Sequence, residues 1–262
     1  MRTPRLAITR LSAAVAALLM VAARSGAFDF AAEIARGDDL LRQGLLRDAR
    51  AAYRAALDER PASYAALCRL AHVESELGED AKGEERRQLV ASAIDHARTA
   101  VEIAPDSAQG HEWLAVALGR KALKEGPKTR LSLSREIKSE VDRAIALDPT
   151  SGRAYHVRAL WNRKIATLNA VERAVANAVL GGVPKGASME NAVRDLQKAV
   201  ALEPEYVNHR LELGRTFQMV RNDADARREL EKAIALPPKS SPRDSIYQAE
   251  ARELLRKLPR PG

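Results

Sequence analysis

The sequence predicts an all-α fold, a solenoid of about five helix pairs with enlarged turns and a capping helix at the carboxyl end. The main observation is a spacing that recurs five times: a small or apolar residue, an apolar one four later, alanine after three more, and proline after five more. Charged residues make up 30% of the chain and aromatic residues only 4%, which is typical of helices packed through small side chains and solvated by charge. The five instances are Ala49/Tyr53/Ala56/Pro61, Ala93/Ala97/Ala100/Pro105, Ile137/Val141/Ala144/Pro149, Ala192/Leu196/Ala199/Pro204 and Ala226/Leu230/Ala233/Pro238.

The spacing has a direct structural meaning. Offsets of four and three place three residues on one stripe of a helix, and the proline that follows cannot continue that helix. Units that repeat in this way pack each on its neighbours, so they form an extended surface that binds partners rather than a cleft for chemistry. We therefore expect the stripes to be buried and the prolines to follow helix ends.

The intervals between the prolines predict where the array is enlarged. They are 44, 44, 55 and 34 residues, so three repeats exceed the last one by about 10, 10 and 21 residues. Because the stripes stay in register, the additions should lie between the two helices of a pair. The candidate segments are Glu79 to Leu89, a solvated loop or helix extension; Leu123 to Arg135; and Val171 to Ser188, an apolar helical extension that packs, with Ser188 as N-cap of the next helix.

The carboxyl end predicts a capping helix from Arg243 to Leu258, followed by a tail over 259–262. An array needs an end helix whose outer face is polar. We expect Ile246, Ala249, Leu254 and Leu258 to face the last pair. The polar outer face would consist of Arg243, Asp244, Gln248, Glu250, Arg252, Glu253, Arg256 and Lys257.

The amino end has the pattern of a signal peptide over residues 1–27. Three arginines precede an apolar run from Leu11 to Ala23, and Ser25-Gly26-Ala27 follows as a small-x-small cleavage pattern. The run is shorter than the ~20 residues that a helix needs to span a bilayer, so we expect cleavage after Ala27 and an exported protein, periplasmic or secreted, without a membrane span. An uncleaved anchor and an organellar transit peptide are the alternatives.

Removal of this segment would change the charge argument. Residues 1–27 contain four arginines and no acids, so the formal net charge of +8 would fall to +4. A mildly basic chain fits acidic protein partners but lacks the charge of a nucleic-acid-binding domain.

The helices that precede the stripes carry small residues at the positions where two helices of a pair would approach each other. In this respect the chain resembles the tetratricopeptide repeat (TPR), a pair of antiparallel helices of about 34 residues. The resemblance implies a right-handed superhelix over 28–258, with repeats at about 30–63, 64–107, 108–151, 152–206 and 207–240. The small residues are Gly37, Gly44, Ala71, Gly78, Ala115, Ala159 and Gly214.

A closer resemblance rests on Ser107 to Gly119, Ala154 to Trp161, and Leu180-Gly181-Gly182-Val183-Pro184 leading into Ser188. These stretches resemble the regulator of microtubule dynamics family, and the likeness covers roughly Leu46 to Leu258. It implies an all-helical repeat domain that animal members link to microtubules, mitochondria or membrane contact sites. Microtubule binding is therefore the alternative function, and it requires a cytosolic location.

The first helix of each pair lines the concave face in arrays of this kind. Projecting that face gives five arginines against one glutamate, which favours an acidic or extended partner segment, or a terminal carboxylate held by bidentate pairing. For each position singly, a solvated helix face is the competing interpretation. The projected residues are Arg69, His72, Glu112, Val116, Arg120, Arg153, His156, Arg163, Asn208, Leu211 and Arg215.

The second enlarged turn is rich in basic residues and predicts a basic flap, which would contact the acidic microtubule surface under the alternative function. Its residues are Lys121, Lys124, Lys128, Arg130 and Arg135.

No arrangement of residues indicates catalysis. The five histidines are scattered without metal-ligand spacing, Cys68 is the single cysteine, and neither a nucleophile elbow nor a phosphate-binding glycine loop occurs. We therefore expect no enzyme activity, no cofactor and no metal. Trp113 and Trp161 are interpreted as core residues, with anchoring of a partner as the alternative.

Overall fold

The computed structural model describes residues 29–179, 182–239 and 241–259. The predicted signal segment, residues 1–27, and positions 260–262 of the predicted tail lie outside the described residues. Within the described ranges every regular element is an α-helix, and there are twelve of them. They are α1 (Phe30–Arg42), α2 (Leu46–Glu59), α3 (Tyr64–Asp80), α4 (Gly83–Ile103), α5 (Ala108–Ala122), α6 (Pro127–Leu147), α7 (Gly152–Ala166), α8 (Ala170–Val179), α9 (Met189–Leu202), α10 (Val207–Met219), α11 (Asp223–Ala235) and α12 (Asp244–Lys257).

The helices stack as five pairs. The pairs are α1 with α2, α3 with α4, α5 with α6, α7 with α9, and α10 with α11; α8 packs on α6, and α12 packs on α10 and α11. All fifteen apolar residues of the five predicted stripes are buried, and each proline follows its helix end by two or three residues. The prediction of an all-α solenoid of helix pairs is confirmed.

Small residues set how closely two helices of a pair approach. A Cβ added at Gly37 would lie 2.3 Å from the ring of Tyr53, and one added at Gly214 would lie 2.7 Å from Leu230 Cγ. In both pairs the bulky residue of the stripe packs directly on a glycine of the preceding helix. This contact is the physical reason for a glycine in the first helix and a stripe in the second.

The enlarged segments are mostly longer helices rather than loops. Only Ala81 and Lys82 separate α3 from α4, and only residues 123–126 separate α5 from α6. The predicted basic flap is therefore wrong as a loop, because Pro127 begins α6 and the residues after it are helical. Once a helix has nucleated, each further residue adds a hydrogen bond, so an extra turn forms readily.

The third enlarged segment is helical, as predicted, but it packs only in part, because Val171 is 67% exposed while Ala176 is buried. It forms the separate helix α8 and ends at the cap of α9, where the Ser188 hydroxyl accepts a hydrogen bond from Asn191 N at 3.1 Å. Positions 180 and 181 lie outside the described residues. Gly182 has a φ of 110°, which only glycine adopts without strain.

The prediction for the capping helix holds only in part: Leu258 is buried and Leu254 packs against the same core, as expected. Arg243, Asp244 and Gln248, expected on its outer face, are buried, whereas Ile246 and Ala249, expected to face the last pair, are exposed. The inward face instead carries Tyr247, Gln248 and Ala251. Gln248 Nε2 donates to the carbonyls of Ile234 and Leu236 at 3.2 and 2.7 Å. These carbonyls at the end of α11 have no partner within the helix, so the buried amide of Gln248 supplies their hydrogen bonds.

The carboxyl end of the array reaches back to its beginning. Arg243 forms ion pairs with Asp80 and Glu79 at the end of α3, although 163 residues separate Arg243 from Asp80. Pro242 also lies against Gly44, in the turn between α1 and α2. As a result, α12 closes one end of the concave face. None of the described helices has the length and hydropathy that a membrane crossing requires.

Candidate functional site: the concave groove

The concave face contains a groove of about 620 Å³, a volume within the range of sites that enclose a drug-sized ligand. The first helices of the later pairs contribute most of its wall, and α12 contributes Tyr247 and Glu250. Val116, Val157 and Leu160 form a partly exposed apolar floor. The groove therefore offers both apolar contact area and charged groups.

Eight of the eleven projected residues line this groove, and three do not. Arg69, His72 and Glu112 lie beside it rather than on its wall. The eight residues on the wall are Val116, Arg120, Arg153, His156, Arg163, Asn208, Leu211 and Arg215. That these positions bind a partner stays a prediction.

The five projected arginines, four of them on the wall of the groove, are already held by acids of the chain. A helical projection of the sequence shows the arginines of one helix, but it does not show the carboxylates of the neighbouring helices that pair with them. Four pairs bury most of both side chains, and the fifth, between Arg215 and Glu250, leaves 34% and 46% of the two side chains exposed. The pairs are Arg69 with Asp38, Arg120 with Glu79, Arg153 with Glu112, Arg163 with Glu212, and Arg215 with Glu250.

The two tryptophans are buried, as interpreted from the sequence. Trp113 lies between His72, with ring centroids 4.1 Å apart, and the Arg153 guanidinium, 4.4 Å from the Trp113 ring. Burial and the nearby charge of Arg153 lower the pKa of His72 to about 3. Trp161 Nε1 donates to the carbonyl of Ser134 at 2.7 Å. Both indoles therefore stabilise the wall of the groove.

The structure brings together two histidines that the sequence left apart. His156 Nδ1 and His209 Nδ1 lie 2.9 Å apart, and His209 Nε2 lies 3.1 Å from Glu203. Burial lowers the pKa of both imidazoles. The contact is therefore a hydrogen bond between two neutral rings, in which one Nδ1–H donates to the other Nδ1. In the part of the chain that the structure describes, no three histidine, cysteine or acidic side chains are arranged so that they could hold a metal ion.

The single thiol belongs to the core. Cys68 is fully buried, and burial raises its pKa to about 11. It is therefore held as a thiol rather than a reactive thiolate.

Glu76 lines the groove and was missing from the projected set. It is only 7% exposed, and its Oε2 atom is buried without a hydrogen-bond partner. Burial raises the pKa of this carboxyl, and Arg120 opposes the shift. A signal was present: Glu76 follows Arg69 and His72 at helical offsets of seven and four, on the same face of α3.

The predicted basic-flap residues divide into two groups. Lys121, Lys124 and Lys128 are exposed, and in the described ranges none of them forms an ion pair; we call them the three-lysine patch. Arg130 instead pairs with Glu172 of α8 at 2.9 Å, and Arg135 donates to the carbonyl of Gly182 at 3.5 Å. The two arginines hold the third enlarged segment against α6, which leaves the lysines as the free basic surface.

Comparisons with known proteins bear on the family and on the fold. The model of the family described as regulator of microtubule dynamics protein 1-3 matches residues 34–259. Regulator of microtubule dynamics protein 1 of Caenorhabditis elegans is 30% identical over 191 residues, which is 73% of this chain and 82% of that protein. The Bos taurus and Mus musculus proteins of the same name are also 30% identical, over 66% and 72% of this chain. The chain spans only 54% and 62% of the length of these two mammalian relatives.

Two solved structures share the architecture. A thermophilic TPR protein of Thermus thermophilus superposes with a TM-score of 0.63 at 21% identity, covering 86% of this chain and all of that one. PilW, described as a widely conserved type IV pilus biogenesis factor, gives 0.53 at 18% identity, over 87% and 90% of the two chains. At these identities the likeness shows the fold, a TPR-type helical solenoid.

Proposed function

The chain belongs to the regulator of microtubule dynamics family, and we propose that it is a non-enzymatic scaffold that holds a segment of a partner protein in the concave groove. The groove itself carries this proposal, because it combines a partly exposed apolar floor with walls of paired charges. TPR-like folds and the family names point to a non-catalytic scaffold of this kind. Stacked helix pairs present extended concave surfaces that suit partner segments.

The charge of the partner is the finer part of the proposal. Arg153 and Arg163 are tied to buried carboxylates, so an acidic segment would have to displace Glu112 or Glu212 to reach them. The Arg215–Glu250 pair is the most exposed of the groove pairs, and exposed pairs contribute little to stability. We therefore expect one partner carboxylate to take the place of Glu250, with apolar side chains of the same segment on the floor.

Gly119 allows a clean test of groove occupancy. It lines the groove, and a Cβ built there meets nothing within 4 Å. Gly119→Trp should place an indole in the groove while every ion pair of the wall remains, and Gly119→Ala is the matched control. Proteins captured by the immobilised wild-type chain and by Gly119→Ala, identified by mass spectrometry, should be lost with Gly119→Trp. Equal capture by a folded Gly119→Trp chain would show that partners bind elsewhere.

A second candidate function is microtubule-associated regulation, which the names of the relatives favour. The three-lysine patch is the surface that would contact an acidic filament. Co-sedimentation of the full chain with microtubules at low ionic strength should be lost when Lys121, Lys124 and Lys128 are all changed to glutamate, but kept in Gly119→Trp. Absence of wild-type chain from the pellet would count against this function.

Export remains a proposal that rests on the pattern of residues 1–27. Sequencing the amino end of the mature protein tests it, with Phe28 expected as the first residue. A chain that begins at Met1 in the cell would instead favour an anchored or cytosolic protein and the microtubule-associated function.

A further inference from the structure

One end of the groove has a surplus carboxylate. Four acids (Glu76, Glu79, Asp80 and Glu112) and three arginines lie along the side of α3 that faces α5, α7 and the start of α12. In the described part of the chain, only Glu76 among these acids has no ion pair within 4 Å and accepts no hydrogen bond. The others are held as follows: Glu112 by Arg153, Glu79 by Arg120 and Arg243, and Asp80 by Arg243.

An unpaired carboxylate in this position is costly for the folded chain. Glu76 is only 7% exposed, and its Oε2 atom is buried without a partner. Burying a charge without a counter-charge or hydrogen bonds disfavours folding. Glutamine or leucine would fill the same space at lower cost, so packing alone does not explain a glutamate on the wall of the groove.

The surroundings of Glu76 fit a cation with an apolar stem. Tyr206 and Tyr247 line the same groove, and Val116 lies on its floor. Aromatic faces and aliphatic side chains bind the methylene stem of a long basic side chain, while a carboxylate binds its charged end. The three arginines nearby are paired with other acids of the chain, so the charge of Glu76 has no partner of its own.

We propose that Glu76 is the anchor for a cationic group, the ammonium or guanidinium of a lysine or arginine side chain in the partner segment. The inference rests on the proposed scaffold function and adds a charge requirement to it. A partner would then carry a basic residue for Glu76 at one end of the groove and an acid for Arg215 on the α10 wall.

The test uses simple probes with the full-length chain. Hexylammonium represents the lysine side chain, pentylguanidinium the arginine side chain, and hexanol the apolar stem alone. By isothermal titration calorimetry at low salt, we expect wild-type chain to bind at least one cation about tenfold or more tightly than hexanol. That ratio corresponds to about 1.4 kcal/mol. The stronger of the two cations identifies the side chain.

Variants at Glu76 separate binding from folding. Glu76→Gln should remove the preference for the cation over hexanol, yet melt no lower than wild type, because it removes a buried unpaired charge. Glu231→Gln is the matched control, since Glu231 is exposed and lies outside the groove. If Glu76→Gln folds poorly, Glu76→Asp keeps the charge and should retain part of the preference.

Two results would overturn the inference. One is equal affinity of wild type for hexanol and for both cations; the other is an unchanged cation preference in a folded Glu76→Gln chain. Either would leave the scaffold function standing, because that function is tested separately by the loss of captured proteins in Gly119→Trp. Capture that survives Gly119→Trp would instead remove the scaffold function together with this refinement.

Discussion

At the residue scale, two imidazoles of the groove region are held neutral by their surroundings. His72 stacks on Trp113 near Arg153, and His156 lies against His209. Burial lowers the pKa of both, that of His72 to about 3. An unfolded histidine takes up a proton near pH 6.5, whereas these two cannot until the pH is much lower. The stability of the fold should therefore be highest above pH 6.5 and fall as the medium becomes more acid.

The lowered pKa values of these histidines predict how the stability of the fold depends on pH. Between pH 6.5 and 5 the free energy of unfolding should decrease, and His72→Gln should reduce that slope by up to about 1.4 kcal/mol per pH unit, the effect of one proton. Glu76 acts in the opposite direction, because its raised pKa lets the folded chain bind a proton first. Urea unfolding at several pH values measures the slope, with Lys124→Gln as control. An unchanged slope in His72→Gln would show that His72 titrates normally in the folded chain.

At this scale the sequence predicts where a residue lies on its helix better than it predicts the partner of that residue in an ion pair. The residues of all five stripes, and eight of the eleven groove residues, lie where helical offsets place them, because those offsets depend only on the chain itself. The ion pairs could not be found in this way. Arg153 and Glu112 are 41 residues apart, and Arg163 and Glu212 are 49 residues apart, so each pair depends on how separate helices face each other.

At the scale of helix pairs, the space beside a glycine decides what the glycine does. Gly119 of α5 and Gly214 of α10 both lie in the first helix of a pair. A Cβ at Gly119 would meet open space, but a Cβ at Gly214 would lie 2.7 Å from Leu230 Cγ and 3.2 Å from the carbonyl oxygen of Ala226. The second glycine is therefore required by the close approach of α11, and the first is not.

The same substitution at these two positions should have opposite effects. Gly119→Ala should raise the free energy of unfolding by up to about 1 kcal/mol, because alanine is the better helix former. Gly214→Ala gains the same propensity but forces α10 and α11 apart, and overpacking of this kind costs about 1–3 kcal/mol. Urea unfolding of the two variants compares them directly. Stabilisation by both would mean that the pairing of α10 with α11 is looser than the structure shows.

The enlarged turns show the limit of prediction for whole elements. Proline intervals gave the positions of the extra residues correctly, since the stripes stay in register. The intervals did not decide whether the first segment, Glu79 to Leu89, is a loop or a helix. The second segment, Leu123 to Arg135, was wrongly expected to form a flap. Extra residues beside an existing helix end extend it readily, and Arg130 then reaches Glu172, which fixes the extended α6 against α8.

At the scale of the whole molecule, the array is closed rather than open. Neighbour-to-neighbour packing alone would leave the last helix far from the second pair. Instead, the Arg243 side chain is 8% exposed and reaches Asp80 and Glu79 across the concave face. No local sequence pattern contains this contact, which explains why Arg243 was expected on the polar outer face of the capping helix.

Removing this link should loosen the end of the array without unfolding the pairs. Arg243→Gln keeps a long polar side chain but loses the ion pairs with Asp80 and Glu79, and Glu79 keeps its partner Arg120. We expect faster amide exchange over Asp244–Lys257, a larger radius of gyration by small-angle scattering, and unchanged exchange in α1 and α2. Arg256→Gln, which removes an exposed pair with Glu253 in the same helix, is the control and should change none of these quantities.

If Arg243→Gln also leaves exchange and radius unchanged, packing of Tyr247 and Ala251 is enough to hold α12 in place, and the long-range ion pairs are not needed to close the array. If exchange rises in α12 alone, the groove has a wall that opens independently of the rest of the solenoid.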